Sequence, residues 1–279
     1  MNLLPLKETA MEAALAAGRI IKSYLDTTID VKVKPDGGSN YASQIVTKVD
    51  KECEDEILSY LLPTCEEHDI ALLTEETEDD GSRFEKDYFW CVDPIDGTLA
   101  LSRKIPDFSV SIALVSRGGT PVIGVIYDPS TETMYHAAKG HRVFKNDKLW
   151  KRPKPNNYLT HITDKPLTKT PRPDELMRHL YHKVGELNLS GLKVIQGGGS
   201  VLNAIKVVQH TPANMIKHPK KEIGGGSLWD FAATACIFHE LGFRATNFNG
   251  DPLDLNRKDS TFMHHEGIYY ECVEYLAGL

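Results

Sequence analysis

The chain has 279 residues, 41% of them hydrophobic and 25% charged, enough for one large or two smaller globular domains whose core needs no disulfide or metal staple. Lys and Arg number 32 against 39 Asp and Glu, a formal net charge of −7, which argues against a nucleic-acid coat. Five separated cysteines without a CxxC pair point to free thiols, no stretch is apolar enough to span a bilayer, and the first residues lack a secretory pattern. The expectation is a cytoplasmic protein with no membrane and no nucleic-acid partner.

In chain order, Ala10, Ala14, Ala17, Ile21 and Tyr24 recur on one face of a helix over 8–25. KPDGGSN at 34–40 reads as a loop, and a second helix over 49–62 is expected to stop at Pro63. Short apolar stretches come next: Ile70–Leu73 running into Glu75, Tyr88–Val92 running into Asp93, and Phe108–Val115 with Pro121–Tyr127 as a hairpin. Met134–Ala138 reads as a strand, and Val143–Phe144 pairs with Lys148–Trp150. Prolines 153, 155, 166, 171 and 173 mark 151–173 as a crossing between domains rather than a packed element. Beyond it, helices over 174–184, 200–209 and 228–241 alternate with strands over 192–196 and 213–217. Thr246–Leu255 and Gly267–Tyr270 read as closing strands. The expected organisation is an α+β domain over 1–150, mostly antiparallel, and an α/β domain over 151–279.

The chemistry concentrates in Asp93-Pro94-Ile95-Asp96-Gly97-Thr98. A buried strand ends in an acid, Pro94 stiffens the turn, and Gly97 permits a tight path. Asp93 and Asp96 then point into one small space. Two carboxylates about 4 Å apart repel by about 4 kcal/mol at an effective dielectric of about 20, so a shared proton, a basic partner or a metal must offset them. Glu75 after its strand and Asp230 at a helix start would complete an oxygen-only site suited to a hard divalent cation, with the Ile95 carbonyl available as a further ligand. The amides of Gly97 and Thr98, and the turn Gly197–Ser200, offer seats for an anion. No P-loop, GxSxG or HExxH motif is present.

Those residues, with Val46-Thr47-Lys48-Val49-Asp50 upstream and Trp229-Asp230 followed by Ala232-Ala233 downstream, resemble the inositol monophosphatase superfamily in the family's own order. The resemblance implies a layered α-β-α-β-α sandwich and a Mg²⁺-dependent, lithium-sensitive phosphomonoesterase with two or three ions. It implies that Glu75, Asp93 and the Ile95 carbonyl hold one Mg²⁺ and that Asp93, Asp96 and Asp230 hold another. Asp50 and Thr98 would be the catalytic pair that orients water, and Gly97 and Thr98 would grip the phosphate. Phe108–Val115, Gly124–Tyr127 and Gly199-Ser200-Val201-Leu202 are similar to the bisphosphate nucleotidase branch, which acts on 3′-phosphoadenosine 5′-phosphate. Lys217-His218-Pro219-Lys220-Lys221 stands where inositol-specific relatives carry a substrate-binding acid. Gly199, Ser200 and Lys217 are therefore expected to contact substrate, Lys217 at a second phosphate. Inositol monophosphate hydrolysis and a non-catalytic phosphate sensor are the alternatives, and a homodimer is one assembly open to the chain.

Overall fold

The computed structural model describes residues 1–26, 31–33 and 45–273. The loop expected at 34–40 lies outside the described residues. In chain order the elements are α1 Leu3–Tyr24, β1 Val31–Val33, β2 Ile45–Thr47, α2 Lys48–His68, β3 Ala71–Thr74, β4 Tyr88–Asp96, α3 Thr98–Ser102, β5 Ser109–Ser116, β6 Pro121–Asp128 and β7 Thr133–Ala138. Next are β8 Val143–Lys145, β9 Lys148–Leu149, β10 Leu159–Thr163, α4 Pro173–Glu186, β11 Leu192–Gln196, α5 Ser200–Gln209, β12 Ala213–Lys217, α6 Leu228–Leu241, β13 Arg244–Thr246 and β14 Ile268–Cys272.

Strands β3 to β9 form a seven-stranded sheet in sequential order, antiparallel except where β3 runs parallel to β4. A second sheet has the order β11-β10-β12-β14-β13, with β10 parallel to both its neighbours. Helices α1 and α2 cover one face of the large sheet, α5 and α6 lie between the two sheets, and α4 covers the far side of the small one. This is the α-β-α-β-α sandwich expected.

Sequence explains the layering. Helix α1 buries Leu6, Ala10, Ala14, Ala17 and Ile21 against Trp90, Ile112 and Val125, and its small residues let it lie close to the strands. Helix α6 lies between sheets, so it is apolar on nearly every side, with Phe231, Ala232, Ala233, Cys236, Ile237 and Phe238 all buried.

Three expectations differ from the structure. Pro63 does not end α2, which continues to His68. Beyond the proline, Thr64 is buried and accepts a hydrogen bond from Trp90 Nε1 at 2.9 Å, so packing carries the helix past the missing N–H. The segment 151–173 is not merely a crossing, because it contains β10, a central strand with all five residues buried. His161 disguised it: this polar residue is fully buried and pairs through Nδ1 with Asn214 Oδ1 at 2.7 Å. Finally, Thr246–Leu255 is mostly turn, and β13 lies just before it, at Arg244–Thr246.

Candidate metal centre and active site

Strand β4 carries the first two acids, and its pairing explains their direction. Asp93 lies opposite Ser111 and Asp96 opposite Ser109, so β4 has two residues between the partners where β5 has one. In a regular strand, residues three apart face opposite sides. The extra residue of this bulge restores the parity, and Asp93 and Asp96 face the same side. Pro94 and Gly97 suggest a turn here; the strand instead continues through the bulge to Asp96. Asp230 arrives from the other half of the chain, as the third residue of α6. Carboxylate oxygens of Asp93, Asp96 and Asp230 all lie within 4.8 Å of one another.

Each acid is held by its own backbone contacts. Asp93 accepts from the Ile95 amide at 3.0 Å. Asp96 reaches across to the start of α5, accepting from the Ser200 and Val201 amides at 2.9 Å each. Gly199 is required there, since a β-carbon at that position would run into the Asp96 carboxylate. Asp230 accepts from the Ser227 amide at 2.6 Å, closing a capping box, and its carboxylate also meets the Ser200 hydroxyl and Asp96. Glu75 comes directly after β3, is half-buried, and its carboxyl contacts that of Asp93.

Burial pushes the Asp93 carboxyl well above the usual carboxylate range, and the charges of Glu75, Asp96 and Asp230 push it further. Burial and then Asp230 raise Asp96, against the pull of the Val201 and Ser200 amides and of Lys217. Asp230 is raised by burial, with Lys217 opposing. Three clustered acids resisting ionisation are a donor set short of positive charge, and oxygen-only donors fit a hard divalent cation.

Asp50 and Thr98 meet beside this cluster. The Thr98 hydroxyl lies 2.8 Å from Asp50 Oδ1 and 3.0 Å from the Ile95 carbonyl, so its single hydrogen has two acceptors. The other Asp50 oxygen accepts from the Thr47 amide at 2.8 Å and the Thr47 hydroxyl at 2.5 Å, in the capping box that starts α2. Asp50 is 2% exposed, so the pair is fixed and sheltered. Gly97 precedes Thr98 at φ +91°, and a β-carbon there would come within 2.6 Å of the Asp107 carbonyl.

Ser200 and Lys217 also reach this region. The Lys217 Nζ donates to Ser200 Oγ at 2.8 Å and to the Gly225 carbonyl at 3.2 Å, and lies 3.3 Å from Asp164. Lys220 runs close beside Gly225, and its amine is held below the usual lysine range by burial and then by Lys165, with Lys217 adding to the effect. Lys165 and Lys220 thus lie close to Lys217, the one of the three that acts on the acids themselves.

Sequence reasoning missed three residues that shape the site. Glu54 is buried and accepts from the Glu76 amide at 3.0 Å and the Thr77 hydroxyl at 2.5 Å, fixing the turn that carries Glu75. Its signal was its place four residues after Asp50, on the same helix face. Asp107 accepts from the Gly198 amide at 2.6 Å, pairs with Lys206, and takes the Gly199 amide on its carbonyl at 3.3 Å. Asp164 partners Lys217. Beside them, Asp79 pairs with the buried Arg83 at 2.7 Å.

The fold and this acid pocket, built at strand and helix ends from both halves of the chain, define a layered sandwich suited to holding cations against an anionic ligand. The chain belongs to the inositol monophosphatase family, whose sequence pattern matches residues 2–276. It is 33% identical over 160 residues to a fructose-1,6-bisphosphatase/inositol-1-monophosphatase of Aquifex aeolicus, covering 57% of each chain. It is 28% identical over 259 residues to the Nus factor SuhB of Pasteurella multocida, covering 88% of this chain and 86% of that one. Against the Nus factor SuhB of Escherichia coli K12 it spans about half of that protein's length. The inositol monophosphatase of Anabaena superposes with a TM-score of 0.69 at 25% identity, over 97% of this chain and 92% of the other. Inositol monophosphatase II of Staphylococcus aureus, in its 2′-AMP complex, superposes at 0.70 and 24% identity, over 96% and 89%.

Proposed function

We propose that the chain is a Mg²⁺-dependent phosphomonoesterase acting on a small phosphorylated metabolite. The observation that carries this reading is the convergence of Asp93, Asp96 and Asp230 within 4.8 Å, beside a buried Asp50–Thr98 hydrogen bond. Acids alone could serve a structural ion. A buried hydroxyl–carboxylate pair next to them supports turnover, because orienting a water is a task that binding does not require.

Glu75, Asp93 and the Ile95 carbonyl would hold one Mg²⁺, and Asp93, Asp96 and Asp230 a second. Bound Mg²⁺ supplies Lewis acidity toward phosphoryl oxygens and lowers the pKa of an attacking water. The chain's own residues do the rest. Asp50 fixes the Thr98 hydroxyl, whose lone pairs then accept a hydrogen from the water and aim it at phosphorus. The Gly97 and Thr98 amides seat the phosphate oxygens. The new P–O bond forms to that water as the bond to the ester oxygen breaks, and the proton the water gives up balances the one the departing oxygen takes to leave as the alcohol.

For the substrate, we infer a metabolite with a second anionic group, 3′-phosphoadenosine 5′-phosphate before inositol monophosphate. The ammonium groups of Lys165 and Lys220, close to each other and to Lys217, support this, as does the nucleotidase-like Gly199-Ser200-Val201-Leu202. Fold does not choose between them: the S. aureus neighbour has been solved with 2′-AMP and with inositol monophosphate.

The test is phosphate release from a panel of both substrate types, with Mg²⁺ and with EDTA, ranked by kcat/KM. Mg²⁺-dependent release that favours the bisphosphate is the expected result. No release from any ester, with binding retained, would replace the enzyme by the sensor.

A further inference from the structure

Lys217 ends β12 with its amine enclosed by the protein itself. Ser200 Oγ at 2.8 Å, the Gly225 carbonyl at 3.2 Å and Asp164 Oδ2 at 3.3 Å surround Nζ. An ammonium has three N–H donors, and these three partners account for them. A lysine waiting for a distal phosphate would keep a donor for it. This one is built into the wall of the pocket, with its side chain only 16% exposed.

Its partners lead straight to the acids. Ser200 gives its amide to Asp96, and its hydroxyl meets Asp230. Gly225 lies in the loop that delivers Asp230 at the start of α6. The ammonium is thus fixed behind two of the clustered carboxylates, separated from them by one shared serine.

We propose that Lys217 is a resident cation of the acid pocket, weakening divalent-ion binding at the Asp96–Asp230 end, and that Asp164 sets the strength of that effect by sharing the lysine's charge. A fixed monovalent charge neutralises those carboxylates in part and repels the incoming ion. At the separation of one intervening residue this amounts to a change in Kd on the order of tenfold. The inference rests on the cation-binding part of the proposed function and is independent of the phosphatase reaction.

The experiment is calorimetric titration of the metal-free full-length protein with Mg²⁺, without substrate, at about pH 9, where displacement of protons from the clustered carboxyls no longer offsets the repulsion by the lysine. Lys217→Met keeps the apolar stem and removes the charge; it is expected to tighten the weaker Mg²⁺ step about tenfold, or to reveal a second step where the parent protein has one. Lys217→Arg, which keeps the charge, is expected to stay within about threefold of the parent. Asp164→Asn leaves the lysine charge unshared and is expected to weaken Mg²⁺ binding. Unchanged or weaker binding in folded Lys217→Met overturns the proposal. Should that variant not fold, an unchanged Kd in Asp164→Asn overturns it alone. Normal Mg²⁺ binding with no phosphate release from any ester would instead sink the phosphatase reading and leave this one standing.

Discussion

Thr98 has one hydrogen and two acceptors, and that competition decides what its hydroxyl can do. Donation to Asp50 Oδ1 leaves the oxygen lone pairs turned to the pocket; donation to the Ile95 carbonyl would occupy a backbone oxygen suited to a cation. A cation at that carbonyl therefore favours the Asp50 arrangement. Thr98→Ala removes the hydroxyl and no carboxylate, so kcat is expected to fall by roughly 10²–10⁴ with Mg²⁺ affinity nearly unchanged. Steady-state kinetics beside calorimetry checks this; an unaltered kcat would remove Thr98 from the reaction. Asp93→Asn separates function from stability. Burial and three acidic neighbours oppose the charge of Asp93, and an amide can donate to the carboxylates that now repel it. Activity is expected to vanish while the melting temperature of the metal-free protein rises and its response to Mg²⁺ shrinks, which thermal melts with and without EDTA will measure.

At the scale of elements, the bulge in β4 and the start of α5 have to be held in register, because they come from different halves of the chain. Asp107 does this from the loop between α3 and β5. Its carboxylate holds the Gly198 amide and Lys206, and its carbonyl holds the Gly199 amide while packing against Gly97. The amides of the turn expected to seat an anion at 197–200 are instead taken by Thr163, Asp107 and Asp96, so Asp107→Ala is expected to lower kcat/KM about tenfold through misplacement of the Gly97–Thr98 amides and of Asp96, an error of about 1 Å being costly there. Asp107→Asn still accepts from Gly198 and is expected to stay within about threefold; equal losses in both variants would refute the clasp. Little of this was legible in the sequence. Asp107 sits after a proline in an unpatterned loop, and nothing local indicates that a glycine turn some ninety residues later will meet it. Asp93 and Asp96 were legible as a pair, but their common direction comes from the register against Ser109 and Ser111, a property of two strands. The helix boundaries of α5 and α6 were legible because Gly199 precedes the first, a glycine run and Ser227 precede the second, and apolar residues fill both. Strand β10 was not, because its buried His161 depends on Asn214, a partner fifty-three residues away.

For the whole molecule, the acid pocket is a store of instability that a cation relieves. Asp93, Asp96 and Asp230 have folded-state pKa values raised above those of the unfolded chain, chiefly by burial. The native state therefore holds protons that the unfolded chain releases from about pH 4 upward. By linkage, the stabilising contribution of these groups is complete below that pH and is lost as pH climbs through their native range. Mg²⁺ displaces the same protons, so its affinity rises over the interval in which the metal-free protein weakens. The melting-temperature difference between Mg²⁺ and EDTA is thus expected to grow from about pH 5 to about pH 8, reaching roughly 5 °C at a hundredfold excess over Kd. Using a difference cancels the titration of acids remote from the site, such as Asp259, whose pKa is lowered by its hydrogen bond to Arg257 and whose effect runs the opposite way. A Mg²⁺ increment that is flat with pH, or larger at the acidic end of that range, would mean that the clustered carboxyls are ionised before any cation arrives, and the electrostatic basis of the site would have to be sought in other groups.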